Sequence, residues 1–539
     1  MVYINGTGFP YTENQNIQDY TDTTPYIAAA ANHKIVSLDT PAHKGEDIQL
    51  LDANSKSGFF CYRQTLFLIM ALACREVTGN YCIRVRQSIN KATFCQFING
   101  QKPTAALADS IKVRMQQIID ANLPIEKVVL PRKDAVALLQ DEGNSDSAEQ
   151  IQNLARENLT LYKVNNRHFF MDGVLAVRTG SITKFDFTFY GEGFLLRYPN
   201  YKTNGEIPPF ESVKQLTHVV EQFSLWDKVL SVDSVSTLNT LVEKGNIYDM
   251  ILMQEGLHEK RIAQIADEIK AGMPDKKIIL ITGPSSSGKT TFSEKLGIQL
   301  RVNGIKPIKI SLDDYYVDIE RTLKNEDGSF NFEEVESIDY QLFNEHIMQL
   351  IQGNEVEVPV FSFATGRRLP HGKKMRLGDG EVAIIEGIHA HNDRLTPSVD
   401  AKYKFKIYIS PLTELAIDGL NPISPTDTRL IRRLVRDYNY RCSSAQNTFD
   451  MWPSVQDGEV RNIFPYEEHA DVVFNSAILY EFCVLKRYAE PILNDVPQSS
   501  IHYPVAQKLL EIFSAFTVME DYKIPSTSLM REFIGGSIF

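Results

Sequence analysis

Gly283, Pro284, Ser285, Ser286, Ser287, Gly288, Lys289 and Thr290 satisfy the spacing GxxxxGK[ST] without a mismatch. The apolar stretch KIILIT precedes them, and TTFSEKLGIQLRVNG follows, with Phe292, Leu296 and Leu300 on one helical face and Gly304 at its end. A glycine-rich turn between strand and helix directs backbone N–H groups and the helix N-terminus at phosphate oxygens. Lys289 would reach the β- and γ-phosphates of ATP or GTP, and the Thr290 hydroxyl would ligate Mg²⁺. Thr291 would complete the nucleotide contacts. A switch, a motor and a kinase all fit this spacing, and a Gly/Ser-rich turn opening a helix is the plain structural alternative.

The receiver of a phosphate has to come from residues downstream. Asp313 and Asp314, in ISLDDYYVD, stand at the end of the next strand, where a parallel sheet delivers groups to its ligand crevice. A carboxylate there can deprotonate a hydroxyl acceptor, and Tyr315 and Tyr316 could cover a flat ring; the alternative is that these acids cap the next helix. Glu386 ends a third strand, EVAIIEGIHA, in a place to hold Mg²⁺ directly or through water. His389 and His391 are read as loop or packing histidines, because hard Mg²⁺ prefers oxygen. In DTRLIRRLVRDYNYR, Arg429, Arg432, Arg433 and Arg436 fall on a helix with Arg441 just beyond. A run of arginines downstream of such a loop suits a lid over transferring phosphoryl oxygens, a solvated basic helix being the other reading.

These groups need a frame, and the residues beyond 275 provide one. KIILITG, PIKISLDD, EVAIIEG and KFKIYIS read as buried strands separated by helices such as DYQLFNEHIMQLIQG, which predicts an α/β unit with a parallel sheet covered on both faces. Residues from about 210 to 272 read as helices, with Ile262, Ile265 and Ile269 on one face and Gly272 and Pro274 ending the last; this is the expected linker. Upstream, YIAAAANHKIVSLDTPAHKGEDIQLLD reads as a small β-rich unit, and Leu66, Met70 and Cys74 mark a buried helix. DEGNSDSAEQ, 141–150, is expected to be a loop, and LTLYKV, HFFMDGVLAV and ITKFDFTFYGEGFLLRYP a sheet with hairpins. The expected segments are 1–55, 56–205, 206–272, 273–500 and a tail, 501–539.

The 539 residues exceed one ordinary core, and 43% hydrophobic with 23% charged residues describes a folded chain. A net charge of −12 argues against a broad nucleic-acid footprint. No apolar run is read as long enough to cross a bilayer, and MVYINGTGFPYTENQ lacks a secretory core, so a cytoplasmic protein is expected. Six cysteines without a CxxC pair are read as buried free thiols, zinc being the alternative.

In order and type, the motifs from about 275 to 495 resemble the uridine kinase and phosphoribulokinase family of P-loop kinases. Ser311, Asp313, Tyr315 and Tyr316 match its Ser-x-Asp-x-(Phe/Tyr)-Tyr; FNFEEVESID, VPVFSFATGRR, IIEGIHA and DTRLIRRLVRD match its later segments. The resemblance implies Asp313 as base for a ribose 5′-hydroxyl, assisted by Lys289. It implies Glu386 and Thr290 for the metal and Arg436 and Arg441 for the phosphates. Tyr316, Phe332, Glu333, Phe361 and Arg433 would line the acceptor site. The chain also departs from the family. Glu333 stands where an aspartate holds the ribose hydroxyls, Phe361 replaces a base-contacting tyrosine, Gly366 a base-reading histidine, and Ser443 an arginine. PLTELAIDGLNPISPT, before the lid, is longer than usual. Losing two polar base readers argues against strict pyrimidine specificity.

YIAAAANHKIVSLDTPAHKGEDIQLLD also looks like the end of a TGS domain, a β-grasp unit, and residues 56–200 resemble the α+β editing-type domain of threonyl-tRNA synthetase. The HxxxH signature is missing, with Gln87 and Lys91 in the corresponding stretch, so binding or scaffolding is expected rather than editing. Long bacterial uridine kinase-like proteins share this arrangement and the ending REFIGGS, whose plain reading is a glycine-capped helix docked on the body. The leading expectation is an Mg²⁺- and ATP- or GTP-dependent nucleoside kinase. The alternatives are a kinase for another sugar or small alcohol, and an RNA-associated NTPase whose amino-terminal half binds RNA. A homo-oligomer is left open; a membrane partner is not expected.

Overall fold

The computed structural model describes residues 1–539 except 33, 90–91, 155, 202, 211–228, 231, 233, 325–327, 329, 363–364 and 413–414, and the side chains of 87–89. The helices expected over 211–228, Lys91 and the side chain of Gln87 therefore lie outside the described residues.

Residues 1–55 build a five-stranded sheet with Asp47–Leu51 at its centre, parallel to Val2–Ile4 and antiparallel to Ala28–Ala31. The helix α1, Lys56–Thr78, follows. Ser55 accepts from the Gly58 N–H at its start, and Gly79 (φ 80°) ends it in the left-handed region. Leu66, Met70 and Cys74 are completely buried, as their spacing predicts. This helix corrects the membrane expectation: α1 is long and apolar enough to cross a bilayer, yet most of it is buried inside the protein. A helix enclosed by its own core is apolar all round for that reason.

Two further expectations change in this half. The predicted hairpins form, Asn158–Val164 with Arg167–Phe170 and Asp186–Tyr190 with Gly193–Arg197, but they belong to two different sheets. The predicted loop 141–150 is mostly helical, because Ser145–Ile151 folds to bury Ala148 and Ile151.

The helix expected within the linker, α2 (Ile247–Ala271), buries Ile262, Ile265 and Ile269 in a hydrophobic core shared by both halves, which also holds Leu139, Ile151 and Leu161, and stops at Gly272. That half is built on the strands β1 (Ile278–Thr282), β2 (Lys306–Ser311), β3 (Glu381–Glu386), β4 (Lys404–Ser410) and β5 (Val472–Asn475). They lie in the order β2-β3-β1-β4-β5, every neighbouring pair parallel. Four match the predicted strands; β5 is additional. The helices α3 (Lys289–Val302), α4 (Tyr340–Ile351), α5 (Pro425–Arg441), α6 (Ala445–Asn462) and α7 (Glu481–Asn494) accompany the sheet. Two hydrophobic clusters share it: Ile279 and Ile281 of β1 pack with Phe292, Leu296 and Leu300, while Ile278 and Leu280 pack with Phe343, Ile347 and Leu350.

The long segment before α5 joins the halves. Leu420 sits in the core of the first half, the Ser147 hydroxyl donates to Asp418 (2.9 Å), and Asn421 accepts from the Asp172 N–H (2.7 Å). The tail also packs on the body. Its short helix Arg531–Ile534 buries Phe533 and Ile534 and ends at Gly535 (φ 89°), as the docked reading predicts. All six cysteines are free; five are buried, but Cys442, in left-handed backbone at the end of α5, is exposed.

Candidate active site

The phosphate loop folds as its spacing demands. Ser286 (φ 59°) and Gly288 (φ 89°) turn the chain through left-handed conformations into α3. At Gly283 a Cβ would stand 2.1 Å from the Ile409 carbonyl oxygen, so only glycine lets the loop lie against β4. The Lys289 ammonium donates to the carbonyls of Gly283 (2.8 Å) and Pro284 (3.1 Å), curled back on its own loop. The hydroxyls of Ser286 and Ser287 are buried without a hydrogen-bond partner. Buried polar atoms ordinarily have one, so two orphaned hydroxyls in a loop that opens a helix fit an anionic ligand such as a nucleotide's phosphates.

Strand register assembles the chemistry. Ser311 of β2 pairs with Glu386 of β3, and Ile281 of β1 pairs with Glu386 from the other side. Three strand ends thus meet above one point of the sheet. The Ser311 hydroxyl accepts from the Asp313 N–H (3.2 Å) and starts a 3₁₀ turn, Leu312–Tyr315, that lifts Asp313 out of the strand. The Asp313 side chain is solvent-accessible. Loss of surrounding water raises its pKa, while Lys289 and Arg441 pull it down. Burial likewise lowers Lys289, against the charges of Glu386 and Asp313. The Thr290 hydroxyl stands 3.3 and 3.4 Å from the two Glu386 oxygens. Burial pushes Glu386 up to about 7. Two oxygen donors in contact suit a hard divalent cation.

An aromatic group adjoins Asp313, whose charge acts on Tyr316. The Tyr316 ring meets Phe332 at 5.5 Å and Phe361 at 5.7 Å, and its hydroxyl donates to the Phe332 carbonyl (3.1 Å). Burial raises Glu333 to about 7, with Arg433 opposing. Tyr315 does not face this group. The 3₁₀ turn sends it towards α4, where it is fully buried, packs on Phe343 (5.0 Å) and bonds His346 (3.0 Å). Asp314 is also structural: it accepts from the Phe361 N–H (3.3 Å). Gly366 (φ 66°) lies in left-handed backbone that disfavours a side chain, and an added Cβ would crowd Ile319 at 3.0 Å. His389 and His391 are buried away from the cation pair; burial lowers both.

The arginines of α5 divide into two sets. Arg429 forms a buried pair with Glu459, one bond at 2.8 Å. Arg432 is fully buried, donating to Glu481 (2.6 Å) and to the Ser476 carbonyl (2.8 Å). Those two brace the fold, so the run is neither a solvated face nor wholly a lid. Arg433 donates to the Ser285 hydroxyl (2.9 Å), Arg436 pairs with Asp437 (2.8 Å), and Arg441, the last residue of α5 rather than one beyond it, is 60% exposed. Sequence reasoning missed one carboxylate. Glu532 of the tail accepts from the Thr291 N–H (3.1 Å) and hydroxyl (2.9 Å), and its charge acts on Lys289, Glu386 and Arg441.

A glycine loop at the strand ends of a parallel sheet, facing a carboxylate and arginines, defines a P-loop phosphotransferase. Residues 278–479 match the Phosphoribulokinase / Uridine kinase family. A uridine kinase of Borreliella burgdorferi is 30% identical over 199 residues, 36% of this chain and 85% of that one. A uridine kinase of Ureaplasma urealyticum is 29% identical over 178 residues (33% and 76%), and uridine-cytidine kinase B of Dictyostelium discoideum 28% over 197 (36% and 73%). The chain belongs to the phosphoribulokinase / uridine kinase family. It is an ATP-dependent phosphotransferase with an alcohol acceptor.

Proposed function

We propose that this protein transfers the γ-phosphate of ATP to the 5′-hydroxyl of a nucleoside. The carrying observation is that Asp313 feels the charges of Lys289 and Arg441, that Lys289 also feels Glu386, which the Thr290 hydroxyl contacts, and that the Tyr316 aromatic group adjoins Asp313. Asp313 takes the acceptor's proton, and the 3₁₀ turn orients its carboxylate. Lys289 leaves its loop carbonyls for the β- and γ-phosphates, and Arg436 and Arg441 neutralise charge on the moving phosphoryl group. Mg²⁺, held by Thr290 and Glu386, would neutralise charge on the phosphate oxygens. Phe332, Glu333, Phe361 and Arg433 border the acceptor. The half preceding the family match acts as a scaffold, because it grips Asp418, Leu420 and Asn421 just ahead of α5.

Gly366 supports a second acceptor reading, a different sugar or small alcohol, because glycine brings no base-reading side chain and its left-handed backbone disfavours one. ADP release across uridine, cytidine, purine nucleosides and free sugars, with GTP as a second donor, decides between them. Turnover with one nucleoside that Asp313→Asn abolishes supports the nucleoside reading. Turnover confined to sugars or alcohols, or acceptor-independent hydrolysis alone, sinks it.

A further inference from the structure

The phosphate loop already holds an anion, and it comes from this chain. Thr291 is the third residue of α3, in the first turn, where backbone N–H groups have no partner within the helix. In a phosphate loop those N–H groups cradle the nucleotide's phosphates. Here the Thr291 N–H and hydroxyl both donate to one Glu532 oxygen, at 3.1 and 2.9 Å. The charge of the same carboxylate also acts on Lys289 and Arg441, two cations proposed for the phosphates. Its segment is fixed on three sides of the loop. Leu529 approaches Gly288, where an added Cβ would stand 3.1 Å from it. The Thr527 carbonyl accepts from Lys295 of α3 (2.8 Å), and the Phe533 ring lies 5.1 Å from the Arg432 guanidinium of α5. Meanwhile the Ser286 and Ser287 hydroxyls beneath the loop stay unpartnered. Glu532 therefore satisfies one edge of the anion site and leaves its floor open.

We propose that Glu532 is an intramolecular competitor of the donor nucleotide, which has to release Thr291 before ATP's phosphates bind. Two anions cannot share one N–H, and their charges repel. Only the fraction of molecules with Glu532 swung away is competent, so apparent ATP affinity falls by that fraction. This rests on reading Gly283–Thr291 as the donor loop. A plain helix-capping role makes the opposite prediction, because losing a cap loosens α3 and weakens ATP.

The test measures ATP binding calorimetrically, without acceptor, in the full-length protein, Glu532→Gln, Glu532→Ala and Lys289→Ala. Glu532→Gln keeps the side-chain shape and guards against a folding defect in the alanine variant. A charge-assisted hydrogen bond is strong enough that its removal is expected to tighten ATP about tenfold in Glu532→Ala, and several-fold in Glu532→Gln. Unchanged or weaker ATP binding in both Glu532 variants overturns the proposal. Undiminished ATP binding in Lys289→Ala would instead fail the loop reading, so the two failures are distinguishable.

Discussion

Arg432 and Arg441 lie on one helix in opposite surroundings, one fully buried and the other 60% exposed. The Arg432 and Glu481 side chains are 0% and 1% exposed and meet at 2.6 Å. Replacing Arg432 by Met leaves Glu481 buried, with the Ile478 N–H (3.3 Å) as its remaining described donor. Breaking a buried pair from one side costs about 3–5 kcal/mol, because an uncompensated charge stays in the core. Burial already raises the Glu481 pKa against the pull of Arg432. The variant should therefore regain stability as pH falls and Glu481 protonates. Urea unfolding of wild type, Arg432→Met and Arg432→Met/Glu481→Leu gives the comparison. The double variant should recover most of the loss, since apolar replacement of a buried pair is often neutral. Arg441→Ala should cost under about 1 kcal/mol, as its contact to Asp437 is long (3.6 Å) and its own side chain is exposed. Yet it should lower kcat by about 10²-fold if its guanidinium meets the phosphoryl group. The reasoning is refuted if Arg432→Met stays within about 1 kcal/mol of wild type, or if the double variant is no better than the single.

Three further expectations follow from the same geometry. Asp313→Asn should lower kcat by about 10²–10⁴-fold while ATP affinity, read by calorimetry, changes little; an unchanged kcat removes Asp313 as base. Glu386, raised to about 7, is favoured protonated in the folded protein. Its stabilising contribution is full below the ordinary carboxylate range and lost as pH rises through about 7, so Mg²⁺, which needs the ionised form, should bind more tightly across that interval. Mg²⁺ titrations at pH 6 and 8 check this, and a pH-independent affinity, or the same slope in Glu386→Gln, contradicts it. Gly366→Ala should destabilise by about 1–2 kcal/mol, from left-handed backbone and the crowding of Ile319, measurable as a lowered urea midpoint.

What the sequence disclosed was what is local. The phosphate loop is contiguous and Glu386 ends an apolar strand, so type and spacing placed them, whereas Asp313 stands just beyond the end of β2 in a 3₁₀ turn. The arginine run misled because helical spacing says which residues share a face, not what covers it. The partners of Arg429 and Arg432 stand 30 and 49 residues away. Tyr315 and Tyr316 look equivalent in sequence, but the Ser311-capped turn sends one to α4 and keeps the other by the cleft. Glu532, 241 residues from Thr291, has no local signal beyond the ending REFIGGS.

The parts added to the family's core converge on α5 and α3, the helices proposed to handle phosphate. Asp418 and Asn421, gripped by the first half, fix the chain just before the Ser424 cap of α5. The tail reaches the same helix through Phe533 on Arg432, and α3 through Glu532 on Thr291. The arginines of α5 are therefore positioned from both additions, whereas the start of α3 is contacted by the tail. A disturbance at Asp418 should then act on phosphoryl transfer through α5, and one at Glu532 on nucleotide entry through α3. Buried side chains carry the first linkage, and a single half-buried carboxylate carries the second. Of the two, the contact at Glu532 is the one a competing anion can reverse without unpacking a core.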